Sequence, residues 1–216
     1  MGPAQHTIPI PPGRYAGLEG SAMLFRHSEA LEKLQPDDLA RLVLRFSSLA
    51  DEEDKLLEQT MARVGHLTGL QELNLTKSDI SDKSLATINK LSNLRRLEAN
   101  LTALDGSFMK HLQALKNLRT LRLNETALSE KNLQYLVNFP QLRYLSLQHC
   151  RISEKGLNYI KGCARLTNLE LDSNAEITDE NIKHLTALKN LTYLSIRETP
   201  ITINGLKKIS RTSRLR

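Results

Sequence analysis

Apolar residues recur along this chain at an interval of 24 residues from Leu70 onward, with one residue inserted in the fifth copy. In the unit that begins at Leu118, leucines at positions 118, 121 and 123 alternate with polar residues, and apolar residues follow at 128 and 133. This spacing predicts a short strand with leucines on one face, followed by a helix or a 3₁₀ turn. The six units begin at Leu70, Leu94, Leu118, Leu142, Leu166 and Leu191. We number them units 1 to 6 and expect them to stack as a solenoid.

The polar positions of each unit predict where its helix begins. A small polar residue follows each strand, where a turning backbone needs side-chain hydrogen bonds. A Ser or Thr followed by an acid then occurs at residues 81, 129, 153 and 178. Ser and Thr are preferred N-caps and the acid suits the helix dipole, so a short helix is expected there. Units 2 and 6 carry Asp105-Gly106 and Thr202-Ile203 instead and are expected to start less regularly.

The chain before Leu70 is less regular and divides into two predicted parts. Residues 1–20 hold four of the seven prolines, which favours an extended or disordered lead-in. Residues 21–69 are predicted to form an N-terminal cap, made of a helix and a degenerate repeat in which Leu42 corresponds to Leu73. A helix beginning at Pro36 is the alternative. In either case the segment covers the first edge of the six repeats in residues 70–216.

Residues 70–216, or 39–216 with the degenerate unit, resemble bacterial leucine-rich repeat proteins with units of the form LxxLxLxxTxITDxxLxxLxxLxN. The chain resembles ribonuclease-inhibitor and F-box-associated arrays more distantly. The resemblance implies an α/β fold, a curved leucine-rich repeat solenoid with a parallel β-sheet on its concave face and short helices on its convex face. It also implies protein binding, although such scaffolds host many different partners.

The charge of the chain lies mainly in the repeats. Of the net +6, residues 1–69 carry 7 Lys and Arg against 10 Asp and Glu, whereas residues 70–216 carry 23 against 14. The excess of basic residues predicts an acidic partner. We find neither a signal peptide nor an apolar stretch of membrane-spanning length, so a cytoplasmic location is the default expectation.

The sequence offers little for catalysis. We find no nucleophile elbow, no Gly-rich phosphate loop and no His-Glu-x-x-His motif, and the six histidines are far apart. Cys150 and Cys163 fall in apolar or small-residue columns and are expected to be buried, unreactive thiols. We therefore predict a non-enzymatic protein without a metal or cofactor.

Arginines are sorted onto the predicted strands, whereas most lysines lie on the helix side. Arginine forms paired hydrogen bonds with carboxylates and, with tyrosine, is enriched at binding interfaces. The candidate binding residues are Arg95, Arg96, Arg119, Arg122, Arg143, Tyr144, Tyr193 and Arg197. The alternative is that the arginines pair only with neighbouring acids such as Glu72, Glu98 and Glu125, leaving a solvated surface of mixed charge.

The leading hypothesis is a module that binds an acidic protein or peptide on the concave face. A second is a substrate-recognition adaptor of a ubiquitin-ligase-type pathway, because residues 34–39 resemble the opening of an F-box. A sensor domain of a longer protein is a further alternative. Specific nucleic-acid binding is not expected, because acids occur among the outward positions of the predicted strands and aromatic residues are few.

Overall fold

The computed structural model describes residues 17–20, 24, 26–45, 53–210 and 215. Within them, eight parallel strands form one open sheet in chain order. The strands are β1 (Gly17–Gly20), β2 (Arg41–Leu44), β3 (Glu72–Asn74), β4 (Arg96–Glu98), β5 (Thr120–Arg122), β6 (Tyr144–Ser146), β7 (Asn168–Glu170) and β8 (Tyr193–Ser195). Each described strand is followed by a return segment on the same side of the sheet, which is the predicted solenoid.

The return segments are helical but short. The α-helices are Glu53–Val64, Asp82–Leu85, Glu154–Ile160 and Ile203–Ser210, and the 3₁₀ helices are Ser28–Lys33, Ala86–Lys90, Ser107–His111, Glu130–Asn138 and Ile182–Ala187. A unit of 24 residues leaves few residues between one strand and the next, so the tighter 3₁₀ helix is common. The predicted fold class is confirmed.

Leucine columns form the core between the sheet and the helices. Leu73, Leu97 and Leu121 lie side by side in register on β3, β4 and β5 and are at most 1% exposed. Burying each such side chain contributes about 1.5–3 kcal/mol. In unit 6 the columns are more open, and Leu206 is 47% exposed.

The N-terminal segment contains two strands. Leu42 of β2 pairs with Leu73 at the offset expected for a degenerate repeat, so the alternative helix from Pro36 is wrong where β2 forms. β1 was not predicted; it pairs with β2 through Leu18 and Leu42, at the regular interval of 24 residues. The rest of the predicted lead-in, residues 1–16, and residues 46–52 lie outside the described residues.

A left-handed residue ends the turn after each strand of the six units. These residues have φ angles of 54° to 62°: Lys77, Leu101, Glu125, His149, Ser173 and Glu198. The conformation aims the Leu101 amide at the Asn124 carbonyl, 2.8 Å away on the next unit. The small polar residue follows, and the Thr102 hydroxyl donates to the Ala99 carbonyl at 2.9 Å. The small polar side chains therefore form the predicted hydrogen bonds to the turning backbone, mostly by donating to carbonyl groups. Asn174 both donates to carbonyls and accepts from amides.

Acids near three helix starts cap the helix of the following unit. Asp82 accepts hydrogen bonds from the amides of Asp105 and Phe108 at 2.8 and 2.9 Å. Asp179 likewise accepts from the amide and hydroxyl of Thr202. Glu130 does the same for unit 4. These acids join consecutive units, in addition to favouring their own helix dipole.

Candidate functional site on the concave face

Three exposed arginines stand in a row where β4, β5 and β6 begin. We call Arg95, Arg119 and Arg143 the arginine ladder. Their backbones are fixed by the sheet, because the Arg119 amide donates to the Arg95 carbonyl at 2.8 Å and the Arg143 amide to the Arg119 carbonyl at 2.9 Å. The rungs are therefore about 4.8 Å apart, the spacing of neighbouring strands. Among the described residues, none of the three guanidinium groups has an ion-pair or hydrogen-bond partner.

Arg96 and Arg122 lie within strands and are already engaged with acids. Arg96 is 3.7 Å from a Glu72 oxygen and 3.4 Å from Glu98 Oε1. Arg122 Nε is 3.9 Å from the same Glu98 oxygen, which is too long for a hydrogen bond, and this buried nitrogen has no hydrogen-bond partner. The alternative expectation, that the strand arginines pair only with neighbouring acids, therefore holds for Arg96 and Arg122 and not for the arginine ladder.

Tyr144 connects Arg122 to an acid on the next strand. The Arg122 guanidinium stacks 4.7 Å from the Tyr144 ring centroid, and its Nη2 donates to the Tyr144 hydroxyl at 3.1 Å. That hydroxyl donates in turn to Glu170, whose other oxygen accepts from Ser146 at 2.7 Å and from Gln148 at 2.9 Å. Desolvation, together with the hydrogen bond to Glu170, raises the pKa of Tyr144 to about 12. The hydroxyl is thus neutral at physiological pH.

Tyr193 and Arg197 are separated from the other six candidate residues. Tyr193 lies on β8, 44% exposed, and β7 intervenes between it and Tyr144. Arg197 follows β8, where its amide donates to Asp172 at 2.7 Å while its side chain is exposed. The structure therefore gathers the other six candidate residues on β4 to β6 or immediately before them: Arg95, Arg96, Arg119, Arg122, Arg143 and Tyr144. Glu170, the acid that accepts the hydrogen bond from Tyr144, was missing from the candidate set. The repeat register pairs Tyr144 with Asn168, and Glu170 is the next residue of that strand on the same face, so its position could have been read from the sequence.

The two cysteines and the potential metal ligands give no sign of a second site within the residues that the structure describes. Burial raises the pKa of Cys150, and it raises the pKa of Cys163 to about 12, so both thiols stay protonated at neutral pH. Within the described part of the chain, no three His, Cys, Asp or Glu side chains come together as metal ligands. No helix in that part is long and apolar enough to cross a membrane. The F-box-like residues 34–39 form turns before β2, with Leu39 buried.

Similar architectures occur among solved structures. Internalin C2 from Listeria monocytogenes is 23% identical, with a TM-score of 0.59 over 83% of this chain and 70% of its own. A TLR13 chain from a TLR13–ssRNA13 complex is 20% identical, with a TM-score of 0.58 over 89% of this chain and 30% of its own. At these identities the likeness concerns the fold alone.

A search of curated proteins finds none with detectable sequence similarity to this chain. A family model describing a leucine-rich repeat region matches residues 44–212, which is most of the chain and includes β3 to β8 with the helices that follow them. The match agrees with the leucine columns and with the parallel sheet. The chain therefore belongs to the leucine-rich repeat proteins.

Proposed function

We propose that this protein is a non-catalytic binding module that holds an acidic protein or peptide on its concave face. The observation that carries the proposal is the arginine ladder, three exposed guanidinium groups in register whose charges no described acid neutralises. Repeat solenoids use such extended concave surfaces for recognition. Arginine suits a carboxylate partner because its planar fork can donate two parallel hydrogen bonds.

The engaged residues have a different part in this proposal. Glu72 and Glu98 already neutralise part of the charge of Arg96 and Arg122, so these two arginines would attract a partner carboxylate less strongly. Tyr144 is held by Arg122 and Glu170 and offers a fixed aromatic surface beside the ladder. We expect the ladder to supply most of the electrostatic attraction and the engaged residues to shape the surface. Tyr193 and Arg197 lie outside this centre and are expected to contribute weakly.

The test is charge reversal of the ladder, with fluorescein-labelled octaglutamate as the probe and octaglutamine as its neutral counterpart. The triple variant Arg95→Glu, Arg119→Glu, Arg143→Glu should weaken octaglutamate binding at least tenfold while the thermal unfolding midpoint changes little. Its matched control, Lys110→Glu, Lys131→Glu, Lys155→Glu, makes the same change in net charge at exposed residues of the helix side.

The control variant should retain most of the binding, because its substitutions lie away from the strand starts. Equal losses in the two triple variants would show that only net charge matters and would overturn the proposed site. The same conclusion would follow if octaglutamine bound as tightly as octaglutamate.

A further inference from the structure

The acids of the repeats are confined to one part of each unit. Between residues 83 and 197, every Asp and Glu lies in the segment that runs from the last residue of a strand to the first turn of the next helix. The stretches that run from there to the next strand contain no acid: residues 83–97, 106–124, 131–153, 155–169 and 181–197. Because all described strands are parallel, the starts of these strands lie along one edge of the sheet. That edge is therefore free of negative side chains through five consecutive units.

Exposed basic residues occupy the same edge beyond the ladder. We call Lys116, Arg165 and Lys189, together with the ladder, the basic rim. Arg165 donates to the Gln141 side chain at 2.8 Å and Lys116 to the Asn138 carbonyl at 3.5 Å. Both partners are neutral, so the positive charges remain uncompensated among the described residues.

The opposite edge, where the strands end, differs in charge. Its exposed turn residues include Lys77 and Arg151, but also Glu125 and Glu198. An anionic partner lying over that edge would meet charges of both signs within a few strand spacings. The asymmetry between the two edges is what gives a partner a preferred side.

We propose that the acidic partner lies along the basic rim as an extended segment that crosses the strand starts from unit 2 to unit 6. This inference rests on the proposed function and adds the path and the minimum length of the ligand. Four strand spacings of about 4.8 Å amount to about 19 Å, which about six extended residues can span. The rim turns at residues 92–95, 116–119, 140–143, 164–167 and 189–192 contain no aromatic residue. Two tyrosines directly follow them, Tyr144, whose ring already stacks on Arg122, and Tyr193, which is 44% exposed. So few free rings favour polypeptide over single-stranded nucleic acid, in which successive bases stack on aromatic side chains.

The experiment uses a rim variant outside the ladder, Arg165→Glu with Lys189→Glu. Its matched control at the opposite edge, Lys77→Glu with Arg151→Glu, makes the same change in net charge. Binding of fluorescein-labelled octaglutamate, triglutamate and an oligothymidylate of eight nucleotides is measured by anisotropy for the whole protein. We expect the rim variant to weaken octaglutamate binding at least fivefold, the control to weaken it less than twofold, and triglutamate to bind at least tenfold more weakly than octaglutamate.

The outcomes separate this inference from the proposed function. If the rim variant binds octaglutamate like the unmodified protein while the ladder triple variant does not, the partner stays on the concave centre and the rim path is wrong. If both variants bind normally, the proposed function itself fails. Tighter binding of the oligothymidylate than of octaglutamate, with the same dependence on the rim, would assign the rim to nucleic acid and overturn the polypeptide inference.

Discussion

Glu130 of unit 3 accepts hydrogen bonds from both the backbone amide and the hydroxyl of Ser153 in unit 4, at 2.5 and 2.8 Å. A third donor, the Gly156 amide, lies 3.0 Å from the same carboxylate. A Cβ at residue 156 would lie 2.7 Å from Glu130 Oε1, so the absence of a side chain at Gly156 allows this carboxylate to approach the backbone. One side chain thus satisfies donors at the start of the neighbouring helix, which would otherwise lack partners.

Replacing this cap should destabilise the solenoid. For Glu130→Ala we expect the free energy of unfolding to fall by about 1–3 kcal/mol, because charged hydrogen bonds are lost and buried donors are left unsatisfied. The measurement is urea denaturation followed by circular dichroism. Glu176→Ala is the control, since the Glu176 side chain is exposed and only its backbone carbonyl is used, by Asn181. A loss of equal size in the control would contradict the capping role.

The equivalent cap of unit 6 predicts an acid-sensitive contribution to stability. Hydrogen bonds from the Thr202 hydroxyl and amide lower the pKa of Asp179 below its ordinary value of 3.8. Because the folded-state pKa is the lower one, this stabilisation is complete above the unfolded-state pKa and is lost as the pH falls through the folded-state pKa. Asp179→Asn should therefore lower the unfolding midpoint at pH 6. Below pH 4 the difference in midpoint between this variant and the unmodified protein should shrink progressively, because Asp179 loses its charge there. A difference that does not change with pH would argue against the carboxylate charge.

Tyr144 predicts the opposite pH dependence. Its folded-state pKa of about 12 lies above the ordinary value of 10.0. The corresponding stabilisation is present below the unfolded-state pKa and is lost as the pH rises through the folded-state pKa. In Tyr144→Phe this alkaline loss should disappear, and the stability at neutral pH should fall by about 1 kcal/mol because the hydrogen bond to Glu170 is gone. Tyrosinate absorbance during an alkaline titration provides the direct measurement, with exposed Tyr193→Phe as the control.

The left-handed turn residues predict an unusual pattern of substitution effects. Leu101 has a φ angle of 55° and is 41% exposed, so its side chain gains little from burial while its backbone is strained. Asn tolerates this conformation better than leucine, and a β-branched residue tolerates it less. Leu101→Asn should raise the thermal midpoint, by the equivalent of about 0.5–1 kcal/mol, and Leu101→Val should lower it. The reverse order in calorimetry would show that packing of Leu101 outweighs its backbone conformation.

The leucine columns made most of the fold predictable, because a fixed interval places Leu73, Leu97 and Leu121 on one face whatever the other residues are. β1 was missed because Gly-Leu-Glu-Gly offers a single apolar side chain and two residues that disfavour strands. The inter-unit caps were also missed, since an acid after Ser is explained equally well by its own helix dipole.

The candidate site could be predicted only as a region. Arg95 and Arg96 are adjacent and identical, yet only Arg96 pairs with Glu98. Arg96 and Glu98 are two residues apart, so the strand period places both side chains on the same face, and the sequence shows this. The spacing alone does not exclude an ion pair between Glu98 and the neighbouring Arg95. Side-chain geometry was needed to separate the free arginines from the engaged ones.

The caps provided by Asp82, Glu130 and Asp179 all point from one unit to its successor. Shortening an array of this kind therefore has unequal effects at its two ends. Removing units from the carboxyl side leaves the earlier helix starts with their acids, whereas removing units from the amino side can take away the acid on which the first surviving helix depends. Nested deletions would reveal the solenoid as a directional structure, in which the helices of units 2, 4 and 6 rely on the unit before them.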